Sequence, residues 1–243
     1  MQKTEMHAAA TDTPVSAAPE RKEKIPFPAV IVIYSVLFYG IWAVFEFVGK
    51  PFLADLHMDP VVEQLIKSGL VKNLVWTLPA LLLIKKYEDR VHIPLKELFT
   101  SKVDIKLWAA LFLLFPIFTV LPKYIKTHTL SINPEFTVLT AIGFLFVGIT
   151  EESVFRGWLL NAAYGTTKGS KVFAYALNGV MFVMIHIPTW ITNGQLDVAF
   201  GKFGFLSIMM IGLIFGLLMT QTRNLLVPVV MHMYYDTLLN LFI

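Results

Sequence analysis

Long apolar runs separated by short polar connections set the pattern of this chain. A helix needs about 20 apolar residues to cross a hydrocarbon core. By that measure the chain predicts spans at 29–48, 69–84, 105–122, 137–160, 172–187, 204–220 and 225–242. The run from Ala29 to Val48 is longer than the apolar core of a signal peptide and reads as a retained anchor. The run 137–160 is apolar as far as Thr150 and then turns polar within one helical turn. Pro188 predicts the end of the fifth span. Pro228 falls in the first turn of the last, where a missing N–H is tolerated. No internal repeat is visible. The fold class this pattern predicts is an all-α membrane protein, a bundle of about seven transmembrane helices around a polar intramembrane cavity.

Composition narrows the picture. The chain is 56% hydrophobic and 15% charged, against about 25% charged residues in a soluble domain, and its mean hydropathy is +0.66. That leaves room for one polytopic helical domain, residues 28–243, behind a polar tail, residues 1–27, with too few large apolar side chains to pack. With no cysteine, disulfides, a thiolate nucleophile and Cys-ligated metals are excluded. The net charge of +3 comes from bases that flank apolar runs rather than gather on a polar face, so no nucleic-acid partner is expected. Bases in the tail and in 85–106, with Lys168, Lys171 and Arg223, outnumber Lys50, Lys67, Lys72, Lys123, Lys126 and Lys202 on the other side by roughly two to one, which predicts a cell-membrane protein with its N-terminus inside. The segment 85–106 is expected to lie at the anionic inner surface of the bilayer.

Charged groups inside a bilayer are costly and so mark function. Three clusters stand out: Glu151-Glu152-Ser-Val-Phe-Arg156, Phe182-Val-Met-Ile-His186 and His232-Met-Tyr-Tyr-Asp236. On a helix, Glu152 and Arg156 share a face and can pair. Glu151 points about 100° away and has no partner in its own helix, which leaves it free to act as a general base on water. His232 and Asp236 also share a face, a spacing that suits either a carboxylate-oriented imidazole or two ligands of one metal. One difficulty is depth. In ideal helices His186 lies about 21 Å beyond Val172, while His232 lies only about 10 Å past Leu225.

The ordered set EEXXXR, FXXXH and HXXXD/N on successive membrane helices resembles the CPBP family, the CAAX proteases and bacteriocin-processing enzymes also called Abi. Here it stands as EESVFR (151–156), FVMIH (182–186) and HMYYD (232–236), and the resemblance covers about residues 137–243. It implies an intramembrane endopeptidase in which Glu151 activates water with help from His186. Glu152 and Arg156 would support the site, and His232 with Asp236 would stabilise the oxyanion or hold a metal. Asp236 stands where the prenyl-processing branch has Asn, and an ionised Asp cannot donate a hydrogen bond to an oxyanion. No cofactor is expected. A divalent metal such as zinc, if present, would use Glu151, His186, His232 and Asp236, although HEXXH is absent. The expected partners are the lipid bilayer and a hydrophobic or lipidated peptide substrate, or a peptide precursor such as a bacteriocin. A non-catalytic membrane partner, such as a bacteriocin-immunity protein or sensor-kinase modulator, is the rival reading, and a proton-coupled transporter is a more distant one.

Overall fold

The computed structural model describes residues 25–243, so most of the polar tail lies outside the described residues. Six helices are long and apolar enough to cross a membrane: α1 (Phe27–Asp55), α2 (Pro60–Lys86), α4 (Ile105–Thr127), α5 (Val138–Ala163), α6 (Lys168–Thr192) and α7 (Gly204–Thr222). Between α2 and α4 lies the short helix α3 (Leu95–Thr100). The seventh expected span is α8 (Leu226–Leu241), whose 16 residues extend about 24 Å, short of a hydrocarbon core of about 30 Å.

Several spans outrun their hydropathy. α1 continues to Asp55 and α2 begins at Pro60, so Lys50 and Lys67, placed in connections by the sequence pattern, stand on the helices. Each is held by a carboxylate one turn earlier: Glu46 Oε2 lies 2.6 Å from Lys50 Nζ, and Glu63 Oε1 lies 3.2 Å from Lys67 Nζ. Lys72, counted with the connection bases although the predicted span 69–84 contains it, is buried on α2. The chain widens to π-type bonding over Phe45–Gly49, Leu65–Val71, Asn73–Thr77 and Ser153–Leu160. Such wide turns concentrate at functional sites. Here they contain or adjoin Glu46, Lys72, Glu152 and Arg156.

α5 forms the core. Ser153–Leu160 is buried at every position. α8 runs antiparallel to it at close range, since a Cβ on Gly148 would stand 3.1 Å from the Val229 carbonyl oxygen. α2 runs parallel to α5: Gly69 meets Phe146, and Ile84 meets Gly157. α6 is antiparallel to both α5 and α7. The Asn178 side chain donates to the Phe155 carbonyl at 2.7 Å, and Tyr175 and Thr220 share a hydrogen bond.

The helix of the fifth span yields at Ile185–His186, earlier than Pro188 itself. A proline cannot donate to the carbonyl four residues back and its ring crowds that carbonyl, here that of Met184, so the break falls in the preceding turn. At the opposite end of the bundle, segment 85–104 is clamped to the helix ends rather than merely resting on a surface. Asn161 bonds both the N–H and the carbonyl of Ile93, Leu225 N–H donates to the Leu98 carbonyl, and Arg223 pairs with Glu97. The Arg223 guanidinium holds the Glu97 carboxyl below the usual carboxylate range.

Gly148→Val would push a methyl group onto the α8 backbone, and overpacking of this kind costs about 1–3 kcal/mol. A lowered thermal-unfolding midpoint in detergent is expected. An unchanged midpoint would show that α5 and α8 are not held at this separation.

Candidate active site

Arg156 and Glu152 are both fully buried, with Nη1 3.0 Å from Oε1. The sequence spacing anticipates this pair. The structure adds what encloses it. Arg156 Nη2 donates to the Gly212 carbonyl at 2.9 Å, and the guanidinium lies 4.1 Å above the Phe182 ring. Gly212 is required there, because a Cβ would stand 2.9 Å from Phe182 Cδ1 and 3.0 Å from Arg156 Nη2.

The same Glu152 oxygen accepts from His232, with Nδ1 at 2.7 Å. The imidazole is therefore oriented by Glu152, across two helices, and not by Asp236 on its own helix. A ring held by a carboxylate at Nδ1 offers only Nε2 to anything else. His232 Nε2 lies 3.6 Å from Asp236 Oδ2 and 3.9 Å from Glu151 Oε2. Glu151 accepts no hydrogen bond among the described residues, although it is only 8% exposed. The adjacent glutamates thus differ: Glu152 bridges Arg156 and His232, and Glu151 is left without a hydrogen bond among the described residues.

His186 is not packed directly against His232. Phe182 stands between them, its ring 5.2 Å from His186 and 6.1 Å from His232, edge-to-face with each. Part of the depth difficulty disappears because α6 starts beyond the end of α7: Tyr175, seven residues into α6, meets Thr220, two residues before α7 ends. The remainder is real. His186 is one turn deeper than Phe182, and counting back from the Asn178–Phe155 contact brings it within about a turn of Glu151. Its Nδ1 lies 2.8 Å from the Phe182 carbonyl. A carbonyl can only accept, so Nδ1 carries the proton and Nε2 of the neutral ring is the open acceptor. None of the six residues singled out from the sequence is fully exposed. Glu151, Glu152, Arg156 and His232 are buried, and His186 and Asp236 are partly buried.

Sequence reasoning missed Glu46 and Lys72. Both are buried, and Glu46 Oε2 accepts from Thr189, one turn beyond His186 on α6. The signal was available: Glu46 is the only carboxylate in the run from Ala29 to Val48.

Among the described residues, no group of three or more His, Asp or Glu side chains is arranged to hold a metal ion. His232 Nδ1 is taken by Glu152, and the carboxylates near Nε2 stand at ionic distances rather than across a shared coordination point, for which bonds of about 2 Å would be needed.

A helical membrane bundle with an acid–imidazole–acid cluster among its buried groups has the parts that hydrolysis inside a membrane needs. Residues 133–238, which contain all three motifs, match the family model described as type II CAAX prenyl endopeptidase Rce1-like. Over that region the chain resembles the CAAX protease family, and that match together with six helices long and apolar enough to cross a membrane supports a multi-pass membrane protease. No curated protein and no solved structure matches it.

Breaking the buried pair from one side leaves a lone buried charge, which costs about 3–5 kcal/mol. Arg156→Met is expected to lower the unfolding midpoint sharply, and the double variant Glu152→Leu/Arg156→Met to recover part of the loss. A double variant no more stable than Arg156→Met would show that the stranded carboxylate is not the cause.

Proposed function

We propose that the chain hydrolyses a peptide bond near the C-terminus of a prenylated, membrane-associated protein tail, with water activated by Glu151 and His186. The observation that carries this reading is the inequality of the two adjacent glutamates. Glu152 is committed to Arg156 and His232, whereas Glu151 has no hydrogen bond among the described residues and stands 3.9 Å from His232 Nε2. A general base must be free to take a proton, and among the two only Glu151 is.

The steps follow from these positions. Water, accepted by Glu151 and by His186 Nε2, loses a proton to Glu151 as its oxygen attacks the scissile carbonyl carbon. Negative charge develops on the carbonyl oxygen, and His232, clamped by Glu152 and charged, donates from Nε2 to that oxygen. The C–N bond then breaks, and Glu151 returns its proton to the departing amine nitrogen. Asp236 faces Nε2 from one turn along α8 and favours the charged ring without having to donate. Its aspartate is compatible with this scheme because the donor is the imidazole.

An apolar cavity of about 200 Å³, lined by Leu111, Phe115, Phe118, Ile211, Ile214 and Tyr235, opens beside the site between α4, α7 and α8. Phe115 stacks on Phe215, which packs on His232. An isoprenoid chain of the substrate fits this surface chemically. The bias of Lys and Arg toward one set of connections supports an N-terminus inside.

The test uses purified full-length protein in liposomes with prenylated tail peptides and peptide precursors, with and without chelator. Glu151→Gln is expected to lose about 10²–10⁴-fold in turnover at an unchanged unfolding midpoint, and wild-type cleavage to survive the chelator. A stable Glu151→Gln protein that cleaves as fast as wild type would sink the assignment. Loss of wild-type activity on chelation would replace the metal-free scheme.

A further inference from the structure

Within the membrane-spanning helices, most buried or half-buried bases have an acid in contact. Lys50 has Glu46, Lys67 has Glu63 and Arg156 has Glu152. Lys72 is the exception. It is 6% exposed, yet among the described residues its ammonium makes no hydrogen bond and no ion pair. Its one close partner is the Trp42 ring, 4.8 Å below Nζ. Glu46, the nearest carboxylate on α1, is already occupied at Oε2 by Lys50 and Thr189.

Packing register places this ammonium at the site. α2 runs parallel to α5, with Gly69 against Phe146 and Ile84 against Gly157, so Lys72 comes level with the α5 turn that ends in Glu151. α1 runs parallel to α6, with Tyr39 bonded to the Met181 carbonyl and Glu46 to Thr189, so Trp42 comes level with the turn that ends in His186. Lys72 thus stands on α2 at the level of Glu151 and His186, whereas the apolar cavity beside Tyr235 lies between α4, α7 and α8. A buried cation with no anion in contact is costly in a bilayer, and an anionic ligand would complete it.

The substrate class supplies such an anion. A CAAX tail ends in a free carboxylate, three residues past the prenylated cysteine. Three extended residues reach about 10 Å, and neighbouring helices pack about 8–10 Å apart. A tail cleaved between Glu151 and His186 therefore ends close to α2.

We propose that Lys72 is a specificity residue that binds the free C-terminal carboxylate of the substrate and of the departing tripeptide. The proposal rests on the protease reading and names the feature of the tail that the site reads. Glu46 and Lys50 hold the neighbouring wall through Thr189, and Trp42 keeps the ammonium in place without neutralising it. With the carboxylate at α2 and the isoprenoid beside α4, α7 and α8, the substrate crosses the site in one direction only.

The experiment compares two prenylated peptides, identical except that one ends in a carboxylate and the other in a carboxamide. Wild type, Lys72→Met and Lys72→Arg are assayed in liposomes, with unfolding midpoints recorded on the same samples. Wild type is expected to prefer the acid by roughly 10- to 100-fold, mainly in KM, as befits one charged hydrogen bond. Lys72→Met should cleave the acid no better than the amide, and Lys72→Arg should retain much of the preference. If Lys72→Met does not fold, the Lys72→Arg ratio and competition by the free tripeptide acid against its amide on wild type carry the test. Equal cleavage of acid and amide by wild type, or full discrimination by a folded Lys72→Met, overturns the proposal and leaves the protease standing. Cleavage of neither peptide by stable wild type overturns the protease reading and this proposal together.

Discussion

One carboxylate oxygen, Glu152 Oε1, joins the structural and chemical halves of this protein. It receives Arg156 Nη1 from its own helix and His232 Nδ1 from α8. Burying an ion pair costs desolvation that its mutual attraction repays only when the surrounding hydrogen bonds are good. Here they are incomplete, because Glu152 Oε2 and Arg156 Nε have no hydrogen-bond partner. The pair is therefore not there because it is the most stable filling for a core. It holds an imidazole at a set orientation. The close approaches around it serve that arrangement: Gly148 lets α8 come near enough for His232 to reach Glu152, and Gly212 admits the guanidinium between α7 and Phe182.

The same constraint accounts for the irregular helices. A run of α-turns places successive residues at fixed azimuths, whereas the site needs neighbouring positions on α5 to serve different partners. Bonding widens from Ser153 onward, directly after the two glutamates, and every side chain of that stretch is buried. On α6 the same end is reached with a proline. Pro188 breaks the ladder at Ile185–His186, and His186 Nδ1 turns back to the Phe182 carbonyl. In both helices a departure from regular geometry sits beside a side chain that the proposed chemistry uses.

Much of this was legible in the sequence because it depends on local spacing. The apolar runs mark the helices, and four-residue spacing puts Glu152 with Arg156. What was not legible depends on how helices register against one another. His232 and Asp236 look like a self-contained pair, yet Glu152 orients the ring from another helix. His186 looks too deep on an ideal helix, and only the overhang of α6 past α7 and the intervening Phe182 show how it belongs. Lys72 falls inside the predicted span yet reads as one more flanking base, and nothing local shows that it is buried against the Trp42 ring of α1.

Paired charges alone would not distinguish a reaction site from a set of structural bridges. Glu46 with Lys50, Glu63 with Lys67 and Glu152 with Arg156 all place opposite charges in or beside the bilayer. The informative groups are those without a hydrogen bond. Glu151, the Asp236 carboxylate and Lys72 accept or donate none among the described residues, and they lie around the same level of the bundle. Scattered unpaired charges would each lower stability with nothing gained. Gathered at one level, they are the groups that the proposed reaction needs: one for water to give a proton to, one to serve an oxyanion and one to meet a carboxylate. The spacing of residues 151, 186, 232 and 72 along the chain has meaning only in that convergence, which is why one cluster of incompletely satisfied groups explains more of this sequence than all of its completed ion pairs.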